Sequence, residues 1–169
     1  MSTSNVVACL GGGLIGRSWA ALFLAAGKEV RIYDVDPASE ARIKETIESS
    51  WPVLKALGLT SSYSPSTKWS FCSDPKEAVK GATFIQESIP ERIELKRELY
   101  AAIEPELSKD AIVASSASGL TLSELQTGWK NPARFVLGHP FNPPHLIPLV
   151  EVMGNEKTAS GVVAEARAF

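Results

Sequence analysis

A net charge of −2 over 169 residues gives no electrostatic footing for a nucleic acid or an anionic membrane as partner. With 44% hydrophobic and 21% charged residues, the chain has the composition of a single globular domain with a sizeable core. No apolar run approaches the roughly 18 residues of a membrane span, and MSTSNVV lacks the basic-then-apolar order of a secretory leader, so a cytoplasmic setting is expected.

The first elements form one unit, VVACLGGGLIGRSWAALFLAAGKEVRIYDVD. Val6–Leu10 is a short apolar run that reads as a buried strand. Gly11, Gly13 and Gly16 follow at G-x-G-x-x-G spacing, and a helical pattern runs from Leu14 to Ala26 before a stop at Gly27. A second strand, Val30–Tyr33, ends at Asp34. Strand, glycine turn, helix, strand and acid in this order predict a dinucleotide site. Gly11 permits the turn, Gly13 lets a pyrophosphate approach the backbone, and Gly16 brings the helix close to the sheet. The N–H groups at the helix start, around Leu14 and Ile15, face the phosphates. Asp34, 21 residues after Gly13, is suited to the two ribose hydroxyls of an adenosine. With Asp36 near and no Arg at 35 or 36, a 2′-phosphate is disfavoured, so NAD is expected over NADP.

A helix is expected after Asp36-Pro37 as far as Ser49 or Ser50, disturbed by Trp51-Pro52 and closed at Gly58. Leu59–Lys68 reads as a polar loop and Trp69–Cys72 as a third strand. Ser73 or Asp74 caps a brief helix with Pro75 in its first turn. Ala82–Gln86 is a fourth strand, Glu91–Ile103 an amphipathic helix, Ala111–Ala114 a fifth strand and Phe135–Leu137 a sixth. Leu149–Val152 is a seventh strand, antiparallel if the proline-rich connection reverses the chain, and a further helical pattern begins near Lys157. Alternating strands and helices predict an α/β fold of the Rossmann type, a doubly wound and mostly parallel sheet with helices on both faces. Cys9 and Cys72 read as small core or edge residues rather than a disulfide pair or a metal site.

Chemistry in such sheets gathers beyond the carboxyl ends of the strands. Three segments fall there: Gln86–Glu91, Ser115–Leu120 and Gly138–His145. His139 is one of two histidines, and an imidazole near neutral pH can take a proton from a substrate hydroxyl if a carboxylate orients it. Glu151, among Leu149, Val150 and Val152, is a candidate partner. The same residues also fit an outward-facing Glu151 on an edge strand and a hydrogen-bonded turn histidine. Lys96 fits a solvated helix face, and Ser118 a cap for the next helix.

Taken together, GGGLIG, QESIPERIELKREL, SSASGL and GHPFNPPHLIPLVEV resemble the NAD-binding domain of the 3-hydroxyacyl-CoA dehydrogenase family, from Val6 to about Thr158. The wording is closest to its L-gulonate 3-dehydrogenase (lambda-crystallin) and L-carnitine dehydrogenase branches. The resemblance implies that His139 is the catalytic base and Glu151 its partner. It implies that Ser118 contacts the substrate hydroxyl and the nicotinamide end, and that Asn142 lines the substrate site. Glu91 and Lys96 match residues near the cofactor ribose, and Asp34 the adenosine-ribose acid. The implied reaction is NAD-dependent oxidation of a 3-hydroxyl to a 3-keto group, as in fatty acid metabolism, on a 3-hydroxy acid or a 3-hydroxyacyl-CoA. ARIKETIESSWPVLKALG holds only two lysines, Lys44 and Lys55, where the acyl-CoA branch is lysine-rich, which favours a small polar 3-hydroxy acid.

The family also implies a helical C-terminal domain that completes the substrate pocket and forms a homodimer. Residues 1–156 are expected to be the NAD-binding domain and 157–169 the start of a helix leading to that second domain. A different class, an NAD(H)-binding sensor or a crystallin-like structural protein without turnover, needs only the glycine loop and Asp34.

Overall fold

The computed structural model describes residues 5–60 and 68–169; most of the loop expected over Leu59–Lys68 lies outside the described residues. The elements follow in the order β1 (Val6–Leu10), α1 (Leu14–Ala25), β2 (Glu29–Tyr33), α2 (Ser39–Ala56), β3 (Trp69–Cys72), α3 (Pro75–Val79), β4 (Phe84–Glu87), α4 (Ile93–Ile103), β5 (Ile112–Ser115), α5 (Leu122–Leu125), β6 (Phe135–Pro140), β7 (Val150–Met153) and α6 (Val162–Ala168). The seven strands form one sheet in the order β3-β2-β1-β4-β5-β6-β7. All neighbours are parallel except β6 and β7, which are antiparallel. The chain leaves β1 in one direction and resumes at β4 on its other side. The crevice of the fold therefore opens at the carboxyl ends of β1 and β4.

Both faces of the sheet are covered, which is why β1, β4 and β5 read as near-continuous apolar runs. Val7 and Cys9 of β1 join Val30 and Ile32 against α1 and α2. Ala8 and Leu10 point the other way, into a second core with Val79, Leu99, Tyr100, Ile103 and Leu125. Both cysteines are buried and free, as expected. α6 packs Val162 into the first core, and Phe169 beyond it stacks on Phe84 with ring centroids 4.2 Å apart.

Several boundaries differ from the sequence expectation. α2 does not stop near Ser50 but runs through Pro52 to Ala56. A proline inside a helix costs about 3 kcal/mol. Against this, Ile43, Ile47, Ser50 and Leu54 form one buried stripe on both sides of it, and Trp51 packs on the core. Leu54 is fully buried, and each such side chain contributes roughly 1.5–3 kcal/mol, so the stripe wins. α4 starts at Ile93, leaving Glu91 in the preceding loop, and α6 starts at Val162 rather than near Lys157. β6 is three residues longer than expected and takes up Gly138, His139 and Pro140, because β7 pairs with them. Asp74 caps α3, its carboxylate accepting the Lys76 N–H.

Candidate functional site

The glycine loop follows directly from β1. Gly11 has φ +102°, in the left-handed region that glycine adopts freely, and a side chain there would run into the Ser88 backbone. A Cβ on Gly16 would lie 1.8 Å from the Gly11 carbonyl oxygen, so only glycine lets α1 seat this close to the turn. Gly13 is different. It is exposed, forms the N-cap of α1 with ordinary φ, and a Cβ there would meet no protein atom within 4 Å. No side chain caps α1 and its first turn holds no acid, so the helix start is open to an anion. Among the described residues no neighbour requires glycine at 13, and the backbone there is open to an approaching group.

Asp34 closes this end. One carboxylate oxygen accepts the Gly12 N–H at 2.5 Å and the other the Asp36 N–H at 2.9 Å, so the acid is aimed at the glycine loop. Asp36 is itself paired with Arg42 at 2.6 Å. This cation escaped the sequence reading because it lies a helical turn and a half further on.

A cleft of about 310 Å³ lies beyond the ends of β4, β5 and β6, and its lining includes Ile15, Glu91, Lys96, Ser118, His139 and Asn142. Six residues expected at the site from four separate stretches of sequence therefore share one space. His139 and Glu151 are directly opposed in the β6–β7 pairing, with His139 Nδ1 2.9 Å from Glu151 Oε2. A carboxylate only accepts, so Nδ1 carries the proton and Nε2 presents its lone pair elsewhere. Glu151 is well exposed, as expected for an edge strand, and the cross-strand register rather than burial supplies its partner.

Glu91 serves the neighbouring loop. Its carboxylate accepts the N–H groups of Ser118 at 2.9 Å and Leu120 at 3.1 Å, a short bond from Gly119, and the Ser118 hydroxyl at 3.0 Å. These bonds, the one from Gly119 foremost, hold its carboxyl below the usual range. Ser118 thus does not cap the following helix; Thr121 does, in a capping box with Glu124.

Lys96 lies on no solvated face. It is buried, with its ammonium 2.5 Å from Glu87 Oε1 and donating to the Ile89 carbonyl at 3.2 Å. The sequence reading passed over Glu87, which is wholly buried. Its carboxylate also accepts from the Ile89 N–H at 2.8 Å, from Ser115 Oγ at 2.6 Å and from the Tyr100 hydroxyl. Burial, and then the negative charge of Glu87, raises the Tyr100 phenol well above its ordinary value and keeps it a donor. The only hint of this in the sequence is an acid ending an apolar strand with a lysine nine residues on.

His145 is the second feature missed. Ser18 Oγ of α1 accepts the His145 N–H at 3.2 Å and lies 2.5 Å from its Nδ1, while Nε2 lies 3.3 Å from Ser50 Oγ of α2. The loop that carries Asn142 is in this way tied to both helices.

Comparison with known proteins identifies the family. The family model for the 3-hydroxyacyl-CoA dehydrogenase NAD binding domain matches residues 6–169. L-carnitine dehydrogenase of Streptomyces coelicolor is 45% identical over 99% of this chain and 53% of its own length. L-carnitine dehydrogenase of a Pseudomonas species is 42% identical over 95% of this chain and 50% of its own. Among solved structures, an NAD+ dependent FHMPC 5-dehydrogenase superposes with a TM-score of 0.88 at 37% identity, over 97% of this chain and 53% of that one. The 3-hydroxybutyryl-CoA dehydrogenase of Escherichia coli, at 24% identity and TM-score 0.84 over 95% of this chain and 34% of that one, shares the fold. The chain thus spans about half the length of the curated L-carnitine dehydrogenases it matches. With a glycine-turned β1–α1 connection, an acid held against it and a family match along nearly its whole length, the chain belongs to the 3-hydroxyacyl-CoA dehydrogenase family as its NAD-binding domain.

Proposed function

We propose that this domain serves an NAD-dependent dehydrogenase that oxidises the 3-hydroxyl of a small polar 3-hydroxy acid to a 3-keto group. It would act with a second half of the kind its relatives carry. The observation that carries this reading is the His139–Glu151 pair at the cleft, 2.9 Å apart with no partner on Nε2 among the described residues.

NAD, when bound, accepts the hydride from the substrate carbon. His139 Nε2 takes the proton of the substrate hydroxyl, and Glu151 keeps Nδ1 protonated and stabilises the imidazolium that results. Ser118, at the cleft wall, holds the reacting oxygen in line once its hydroxyl turns from Glu91, and Asn142 holds a neighbouring polar group. Asp34 binds the adenosine ribose and the start of α1 the pyrophosphate.

The curated relatives are L-carnitine dehydrogenases at more than 40% identity, which supports a short 3-hydroxy acid with a carboxylate over an acyl-CoA. A protein that only sensed NAD(H) would need the glycine loop and Asp34 alone, and the paired histidine speaks against it. In the full-length protein, His139→Gln should keep its NAD affinity and lose about 10²–10⁴-fold in turnover. The assay is NADH absorbance with L-carnitine, other 3-hydroxy acids and 3-hydroxybutyryl-CoA in parallel. Turnover near wild type in that variant would sink the base assignment. Preference for the CoA ester would overturn the substrate class.

A further inference from the structure

Two charges lie buried under the floor of the cleft. The Glu87 side chain is 0% exposed and that of Lys96 2%. Taking each from water costs several kcal/mol even after relaxation, and a packed apolar pair would serve stability as well or better. Core packing therefore does not explain the pair.

Its connections do. Glu87 reaches both rims of the cleft, accepting the Ile89 N–H after β4 and the Ser115 hydroxyl at the end of β5. Ser115 Oγ in turn accepts the Ala117 N–H, so the second rim is set from the same carboxylate. The ammonium of Lys96 has three donors. Glu87 Oε1 and the Ile89 carbonyl take two, no further acceptor meets it among the described residues, and Lys96 lines the cleft.

We propose that Glu87 is a positioning residue for the cofactor: its ion pair fixes the Lys96 ammonium at the cleft floor with one donor left for NAD, and sets the spacing of the two rims. This deepens the NAD-site reading and rests on it. The pair is kept because a charge is needed at a dry place, and a buried counter-charge is what keeps it there.

The test compares NAD dissociation constants by calorimetry with thermal unfolding of the same 169-residue chain. Wild type, Glu87→Gln, Lys96→Met and the Glu87→Gln/Lys96→Met double variant are needed. Each single variant strands a buried charge and should lower the melting temperature by about 5–10 °C. Each should also weaken NAD about tenfold, the loss of one charge-assisted hydrogen bond. The double variant removes both charges and should regain most of the melting temperature while its NAD affinity stays about tenfold weak. That split separates positioning from structure. A double variant that regains affinity along with stability, or a Glu87→Gln protein with wild-type affinity well below its melting point, overturns the proposal. A wild-type chain that binds no NAD overturns the underlying cofactor reading as well.

Discussion

His139 and Glu151 face each other across the antiparallel β6–β7 pair, Nδ1 2.9 Å from Oε2, because β6 and β7 run in register there. The proline-rich connection reverses the chain, and the reversal converts twelve residues of separation into a direct contact. A parallel seventh strand would need a long crossover, which the nine residues between β6 and β7 cannot supply.

Glu151→Gln preserves an acceptor for Nδ1–H but removes the charge. The pair is partly solvated, and exposed ion pairs contribute about 1 kcal/mol or less, so turnover of the full-length protein should fall by about fivefold or less. Turnover is read from NADH absorbance, and wild-type turnover in the variant would dissociate Glu151 from the histidine.

Gly13 and Gly16 should separate binding from folding. Gly13→Ala adds a Cβ in open space at an allowed φ, so the melting temperature should stay within about 2 °C while NAD affinity falls tenfold or more. Gly16→Ala drives a Cβ into the Gly11 carbonyl and should destabilise the domain by about 1–3 kcal/mol. Calorimetry and thermal unfolding of both proteins check this. Equal losses of stability in the two would refute the distinction.

Glu91 organises the loop that holds Ser118. Because the folded state lowers its carboxyl, its contribution is fully present above the ordinary carboxylate range and is lost as pH falls through the lowered value. Hydrogen exchange at the amides of Ser118, Gly119 and Leu120 should therefore be protected near neutrality. Glu91→Ala should release that protection at every pH. Amides that stay protected in the variant would assign the loop's order to something else.

His145 acts in the same direction at higher pH. Partial burial lowers its pKa from the ordinary 6.5, so the unfolded chain binds the proton more readily. Stability contributed by the neutral ring is complete above about pH 6.5 and declines as pH falls from there toward the lowered value. Thermal unfolding of wild type between pH 8 and 5 should show a drop that His145→Gln flattens. Parallel pH curves for the two proteins would count against it.

Local pattern and chemistry were enough for much of this molecule. Val6–Leu10, the glycine spacing, the α1 stripe and Asp34 lie within a few tens of residues, and their periodicity writes strand, turn, helix and strand directly. The α/β class and the NAD loop followed from that stretch, because each residue there acts through its own backbone. Family wording then pointed to His139, Glu151, Ser118, Asn142, Glu91 and Lys96. The fold decided how they meet. Pro52 looked like a helix end because a proline's cost is local, whereas the burial that offsets it comes from the core. Glu87 looked like a loop acid because its four donors come from three other places in the chain. His145 looked idle because Ser18 and Ser50 are distant in sequence. What the sequence by itself determined was which elements form and which cofactor loop they carry, both short-range consequences of pattern. Which charges are buried and which histidine is held between helices came only with tertiary structure, because pairing and desolvation depend on neighbours that the linear order does not contain.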